Sequence, residues 1–421
     1  MCKRPHHNLL SHTILTGLLI SSSICAQGVH VEGQLSGWAL ANLEKNGEKQ
    51  IGLRYIPNLS VQGSISENWT SDMEFSVNTF GSSQLDESNP IKTDGNLKLY
   101  RLWFRIASNQ FEARLGLQKI NFGSAALLRP LMWFDRIDSR DPLQVTSGVY
   151  SLLFRYTFLN NANIWLWGLY GNDEVKGWET MPSDDRVVEY GGRFQYPLFT
   201  GELAFTYHHR SIDLRKGLQD LLGSIDVPLL FDPSDLSMFG IKNVPENRFG
   251  LDGKWDIGVG IWFESVLIHQ NMDNYNWILS SGNMDNIIGS YSSLFAFQYQ
   301  RFMNVGMDYA FGIGNGLHVL GEHFLFDVSE KTLGSGERMG TFTALSLNYP
   351  MGLLDSMTGM IYYDWENFQW YRFFNWQRSY DHWSLYLMGF WNPNQIQIYG
   401  NQQGSNLFAG KGVQFMVVFY H

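Results

Sequence analysis

Along most of the chain, apolar and polar side chains alternate one by one in segments of roughly ten residues, the period of a strand with one oily and one polar face. In residues 50–65, Ile51, Leu53, Tyr55, Leu59 and Val61 share one face, and Arg54, Asn58, Ser60 and Gln62 the other. Past a turn around Glu67, Trp69, Met73, Phe75 and Val77 alternate with Thr70, Asp72, Glu74, Ser76 and Asn78. A two-residue loop at Asn109 and Gln110 sets Ile106 against Ala113, Phe104 against Leu115 and Leu102 against Leu117. The same loop places Ala107 opposite Glu112, Arg105 opposite Arg114, Trp103 opposite Gly116 and Arg101 opposite Gln118, so one turn brings both strands into phase. A third hairpin, turning at Asn160 and Asn161, is expected to pair Phe154 with Trp167, Tyr156 with Trp165 and Leu152 with Leu169, with Arg155 facing away from the oily side. Short turns near Glu67, Asn109, Asn160, Phe199, Asp256, Asn315, Leu354 and Tyr380, separated by longer loops, predict about 18 strands, with about 16 as the alternative. Alternation is weak over residues 317–328 and 369–378.

The N-terminus changes what such strands mean. Lys3 and Arg4 precede a mostly apolar run over residues 14–24, followed by Cys25 and Ala26, the order of a secretory signal peptide. Residues 1–26 are read as that leader and residues 27–421 as the mature chain, with cleavage after Cys25 as the alternative. Both cysteines then leave with the leader, which excludes a disulfide framework and a Cys-ligated metal in the mature chain. No other stretch approaches the roughly 18 apolar residues of a transmembrane helix, so any membrane crossing is made by strands. Aromatics make up 15% and charged residues 17% of the chain, the latter below the roughly 25% of ordinary soluble domains. Tyr and Trp crowd the strand ends, as they do where lipid meets water. The expected fold is all-β: a transmembrane antiparallel up-and-down β-barrel, placed after export in the outer membrane of a Gram-negative-type bacterium. A soluble β-sandwich also alternates but accounts for neither the leader nor the short-turn, long-loop asymmetry. With a first strand near Val29, directly after the leader, no N-terminal plug domain is expected. The net charge of −10 and the lack of a dense Lys/Arg run argue against nucleic acid as a partner.

At the C-terminus, Val413, Phe415, Val417, Phe419 and His421 alternate with Gln414, Met416, Val418 and Tyr420. This strand resembles the final strand of outer-membrane β-barrels, which the assembly machinery reads; those usually end in Phe, and His421 departs from that. The resemblance implies outer-membrane lipid, the barrel-assembly machinery and periplasmic chaperones as partners. The loop over residues 123–147, containing ALLRPLMWFDRIDSRDPLQ, is long and rich in bulky apolar side chains, a mark of functional loops. Its place in strand order matches the inward-folded constriction loop of general porins. Residues 114–142 together resemble outer-membrane porins of the alginate-export kind and their uncharacterised relatives, over about a tenth of the chain. That resemblance implies a porin-like channel for passive diffusion of small hydrophilic solutes, without a cofactor.

Such a channel needs charges on its inner wall, where low-dielectric surroundings focus the field. Carrying the alternation through residues 188–198 and 201–211 puts Glu189, Arg193, Gln195, Glu202, Thr206, His208 and Arg210 on the polar face. With Arg101, Arg105, Arg114 and Arg155 this gives six inward arginines on neighbouring strands against Glu112, Glu189 and Glu202, a basic wall suited to anionic or acidic-sugar solutes. The alternative is that these arginines pair with the glutamates and stiffen the wall. Within the loop, Asp135, Asp138 and Asp141 are positioned to oppose the arginines across an eyelet, while Arg129, Arg136 and Arg140 offset them; alternatively the loop is an outer lid with self-compensating charges.

Catalysis finds little support. His208 and His209 are neighbours on a strand and point to opposite faces, as do His323 and the adjoining Glu322, and no GxSxG, HExxH or phosphate-cradling motif is present. Neither an enzyme nor a metal site is expected. The other reading is a surface-exposed barrel acting as an adhesin or glycan-binding protein through its outer loops, with residues 215–247, Trp277 and Trp365 as candidates.

Overall fold

The computed structural model describes residues 25–43, 48–86, 89–135, 137–217, 243–271, 298–332, 334–393 and 408–421. The first nine strands are β1 (Cys25–Asn42), β2 (Lys49–Ser66), β3 (Trp69–Asp86), β4 (Asn89–Ala107), β5 (Phe111–Gln118), β6 (Val149–Thr157), β7 (Asn163–Leu169), β8 (Glu189–Leu198) and β9 (Gly201–Ile212). The second nine are β10 (Val244–Asp256), β11 (Gly260–Gln270), β12 (Tyr299–Phe311), β13 (Leu317–Ser329), β14 (Glu337–Pro350), β15 (Asp355–Asp364), β16 (Gln369–Ser379), β17 (Trp383–Trp391) and β18 (Lys411–Tyr420). Each pairs antiparallel with its sequence neighbours, and β1 pairs with β18 from Gln34↔Tyr420 to Asn42↔Gly412, so the sheet closes into an 18-stranded barrel. Closure satisfies the edge amides and carbonyls that lipid cannot. The last residue joins the seam: His421 and Gly33 exchange backbone hydrogen bonds of 2.9 and 3.1 Å, and the Tyr55 hydroxyl meets His421 Nε2 at 3.1 Å. Of the leader expected over residues 1–26, residues 1–24 lie outside the described residues; Cys25 and Ala26 pair with Ser64 and Gly63.

All eight short turns fall where the alternation puts them, at one end of the barrel. Four of them use backbone that reverses tightly, with φ of 65° at Asn161, 56° at Phe199, 91° at Gly258 and 104° at Gly316. The long loops lie at the opposite end. Outward positions carry Leu53, Leu59, Met73, Phe104, Phe205 and their like, all exposed, whereas the alternating Asp72, Ser76, Arg193 and Thr206 are buried inside. A belt of exposed Trp, Tyr and Phe side chains flanks this surface, as at the rims of a bilayer.

The β4–β5 hairpin has the expected register from Leu102↔Leu117 to Ala107↔Glu112, including Arg105↔Arg114, and its ladder stops short of the expected Arg101–Gln118 pair. The β6–β7 hairpin does not. Its turn spans residues 158–162 rather than two, closed by Phe158 N–H to Ala162 O at 2.8 Å, with Asn161 at φ 65°. The strand is displaced by one residue, so Phe154 faces Leu166 and Arg155 faces Trp165. Because side chains alternate, that step turns Trp165, Trp167 and Leu169 from the expected lipid face to the interior. Arg155 keeps its inward place, its guanidinium 3.8 Å from the centre of the Trp165 ring.

Candidate functional site

The loop between β5 and β6, residues 119–148, turns into the barrel and crosses to the far wall. An irregular segment inside a barrel needs acceptors for its amides, and two inward carboxylates supply them. Glu264 on β11 accepts the N–H groups of Ala125 (2.7 Å) and Leu131 (3.0 Å). Glu322 on β13 accepts those of Ala126 (2.6 Å), Leu127 (3.1 Å) and Leu128 (2.7 Å). Asn304 on β12 donates to the Leu128 carbonyl at 2.7 Å, and Ser139 meets the Tyr362 hydroxyl on β15 at 2.7 Å. Gly123, at φ 95°, lets the loop pass so close to Glu264 that a Cβ there would collide with the carboxylate.

The crossing buries Ile120, Leu128, Leu131, Trp133 and Phe134 against Trp167, Val266, Phe324, Tyr362 and Tyr371. Each such large side chain is worth about 1.5–3 kcal/mol when fully removed from water. The loop between β7 and β8, residues 170–188, adds Trp178, which stacks on Phe324 at 5.3 Å and donates to the Arg129 carbonyl at 2.7 Å. The interior is thus divided: the side facing β6–β7 and β11–β16 is a buried aromatic core, and the side facing β2–β5 is polar, with partly exposed charged side chains.

The six inward arginines separate along the same line. Arg193 makes a two-pronged bond to Asp252 (2.6 and 2.8 Å), and Arg210 binds Glu246 (2.5 Å) and Glu179 (3.2 Å); both are buried. Arg248 adds a third cation to this group, at 2.9 Å from Glu179 and 2.7 Å from Glu246. Arg101 is buried too and donates to the Thr146 carbonyl at 3.1 Å. Arg105, Arg114 and Arg155 retain side-chain exposures of 31%, 17% and 26%, and they converge on one carboxylate, Glu112, at 3.7, 3.0 and 3.9 Å. Asp72 gives Arg105 a second partner at 2.6 Å. Glu74 on the inward face of β3 acts on Arg114 as well, so the three guanidiniums face three carboxylates, with Arg105 and Arg114 directly opposite each other. Arg114 lies over the Trp103 ring at 4.6 Å, so two of the three cations are backed by indoles.

The loop charges are arranged differently from an opposing row of acids. Asp135 is buried beside Arg129 at 3.7 Å, and Asp138 is held by Arg140 through bonds of 2.7 to 3.1 Å. Asp141 accepts the Leu143 N–H at 2.9 Å. Arg140 projects over Phe373 on β16 at 5.3 Å. Arg136, residues 218–242 and Trp277 lie outside the described residues. Trp365 sits exposed in the β15–β16 turn and donates to Thr343 at 2.8 Å. Above the basic cluster, a cavity of about 490 Å³ opens between the two inward loops and the β2–β4 wall, lined by Arg54, Lys98, Tyr100, Asp135, Glu174 and Lys176 among others. Lys98 and Glu174 bridge its mouth at 2.7 Å. Among the described residues, no group of three His, Asp or Glu side chains converges as metal ligands would.

Sequence reasoning missed the two docking carboxylates. Their signal is present, however: Glu264 shares the inward face of β11 with Trp262, Val266 and Ile268, and a carboxylate among apolar neighbours requires hydrogen-bond donors from elsewhere.

Solved structures similar to this chain include OccK5 (OpdH) of Pseudomonas aeruginosa, with 10% identity, 94% of this chain and 98% of that one covered, and a TM-score of 0.50. OccD3 (OpdP) of the same species gives 10% identity, 95% and 92% coverage, and a TM-score of 0.50. A triple mutant of the Rhodopseudomonas blastica porin gives 12% identity, 94% and 100% coverage, and a TM-score of 0.43. No protein-family model and no curated protein matches the chain. At these identities the likeness concerns the fold alone, a closed antiparallel β-barrel.

Proposed function

We propose that the protein is an outer-membrane channel for passive diffusion of small hydrophilic anions, with acidic sugars as the preferred class. The observation that carries this reading is the partly exposed cluster of Arg105, Arg114 and Arg155 gathered on Glu112, on the polar side of the lumen. Like charges directly across a ladder repel, and a passing carboxylate relieves the repulsion between Arg105 and Arg114 for the time it is there. Indoles behind two of the guanidiniums add flat apolar surface beside positive charge, which suits a sugar ring bearing a carboxylate. The resemblance of residues 114–142 to alginate-export porins supports the same solute class. In this reading, residues 119–148 narrow the lumen to the strip beside β2–β5. Arg101, Arg193 and Arg210 support the wall, because they are buried among their partners.

The test is single-channel recording of the purified protein in planar bilayers. Steady conductance with a reversal potential on the anion side in a salt gradient is expected. Hexuronate oligomers should interrupt the current at lower concentration than neutral oligosaccharides of equal length. A barrel that conducts no ions, or that favours cations, overturns the proposal.

A further inference from the structure

The lipid-facing surface of β14–β18 carries a second feature. Near the long-loop end, one transverse row across the sheet reads Leu345, Ile361, Arg372, Trp391 and Lys411, each directly paired with the next. Two residues along each strand, about 7 Å closer to the membrane centre, the row reads Leu347, Gly359, Phe374, Gly389 and Val413. The upper row places two cations on a surface that is otherwise apolar at this depth, with the exposed Trp391 between them. The Arg372 guanidinium is 5.1 Å from the Trp391 ring centre and 5.9 Å from that of Trp370, and Lys411 Nζ is 4.7 Å from Trp391. Arg301, the outward arginine of β12, is tied to Asp327 at 2.5 Å, whereas no carboxylate among the described residues is paired with Arg372.

In the lower row the two glycines flank Phe374. A Cβ at either would meet nothing within 4 Å, so each leaves a notch floored by backbone. Together they form an almost wholly apolar groove of about 410 Å³, walled by Leu345, Leu347, Ile361, Phe374 and Trp391. Bulk acyl chains require no such relief. Notches on both sides of one ring, directly below a pair of cations about 10 Å apart across two strand spacings, match an amphiphile with anionic headgroup oxygens above and more than one chain below. Long loops mark the outer face of such barrels, so the row lies in the outer leaflet.

We propose that this surface binds a phosphorylated, multiply acylated glycolipid of the lipid A type. Phosphate is held by Arg372 and Lys411, which reach it from the rim of the bilayer, and acyl chains lie in the notches at Gly359 and Gly389. The site faces away from the lumen, so it stands or falls apart from the channel reading.

The test uses the full chain refolded in detergent without lipid and titrated with hexa-acyl bisphosphoryl lipid A, read by native mass spectrometry. Dephosphorylated lipid A and phosphatidylglycerol serve as comparison ligands. One lipid A per barrel is expected, with binding weakened about tenfold or more by the double change Arg372→Gln/Lys411→Gln. Loss of the phosphates should weaken binding similarly. Gly359→Leu/Gly389→Leu should weaken it as well. Resistance of the unheated barrel to SDS confirms folding of each variant, and their unchanged conductance separates this outcome from that of the channel proposal. Phosphatidylglycerol binding as tightly as lipid A, or both double variants binding lipid A like the parent, overturns the proposal.

Discussion

Glu322 accepts a hydrogen bond from the backbone N–H of Leu128 at 2.7 Å, joining the apex of an inward loop to the opposite wall of the barrel. Its carboxylate also takes the Ala126 and Leu127 amides, so one side chain satisfies three backbone donors that no strand partner serves. Charge-assisted bonds of this kind contribute about 1.5–3 kcal/mol each. Replacing Glu322 or Glu264 with Ala should release the loop. Single-channel recordings should then show larger, noisier currents, and the pair Leu128→Cys/Asn304→Cys, oxidised or bridged by a short bifunctional reagent, should become harder to cross-link. Efficient cross-linking in the parent background together with parent-like currents in both Glu variants would refute the docking role.

The arginines should divide into two groups by phenotype. Arg105→Ala and Arg114→Ala remove accessible charge and should move the reversal potential in a tenfold salt gradient towards the cation side, with little loss of stability. Arg193→Ala strands the buried Asp252 and should cost about 3–5 kcal/mol, seen as a lower denaturant midpoint; Arg210→Ala leaves Glu179 and Glu246 with Arg248 and should lower the midpoint less. Selectivity changes confined to the second group would contradict the assignment.

A similar contrast applies to the 170–188 loop. Glu179, fully buried, holds Arg210 and Arg248 at 3.2 and 2.9 Å, so Glu179→Ala should destabilise the fold by about 3–5 kcal/mol. Lys98 and Glu174 pair at the exposed mouth with side-chain exposures of 54% and 64%, and Lys98→Ala should change stability by no more than about 1 kcal/mol. Thermal melts of the two variants, recorded together, decide it.

Acidification should sharpen the anion preference. Burial raises the carboxyls of Asp135 and Asp141 above the ordinary carboxylate range, partly opposed by Arg129 for the first and by the Leu143 amide for the second. Both lie in the inward loop rather than in strands. A raised carboxyl gains its proton at a higher pH than an exposed one, so as pH falls these two lose negative charge before exposed carboxyls do and leave the arginines less offset. Reversal potentials measured from pH 8 down to pH 5 should drift to the anion side, and Asp135→Asn/Asp141→Asn should flatten that drift. An equal drift in the double variant would assign it elsewhere.

The one-residue displacement of β7 gives a separate check. Trp165→Cys should react with a membrane-impermeant thiol reagent entering the lumen, and Leu166→Cys only with a lipid-soluble one. The reverse labelling would restore the register read from a two-residue turn.

Alternation made the eight short turns and the β4–β5 register legible, because a two-sided environment writes itself into every second residue. It gave the wrong face for β7, where a five-residue turn with Asn161 in the left-handed region looks in sequence like a two-residue one. Alternation is weak over β13 and β16 for a different reason. Phe324, Tyr371 and Phe373 point inward against the two inserted loops, so those strands are apolar on both faces. Glu264 and Glu322 were legible only as charges out of place, since their partners are backbone amides that carry no residue-specific mark. The split of the arginines into buried and accessible groups depends on where the loops settle, which no local pattern records.

Among the described residues, the aromatic core inside the barrel draws its strand residues from β6, β7 and β11–β16, while Leu143 of the inward loop packs on a smaller cluster of β17 and β18 residues. Most of that core therefore lies on strands other than β1 and β18, which form the seam. The consequence concerns the order of assembly: bulky side chains such as Trp133 and Trp178 can be seated while the wall still stands open, and sealing the first strand to the last then encloses a filling already in place.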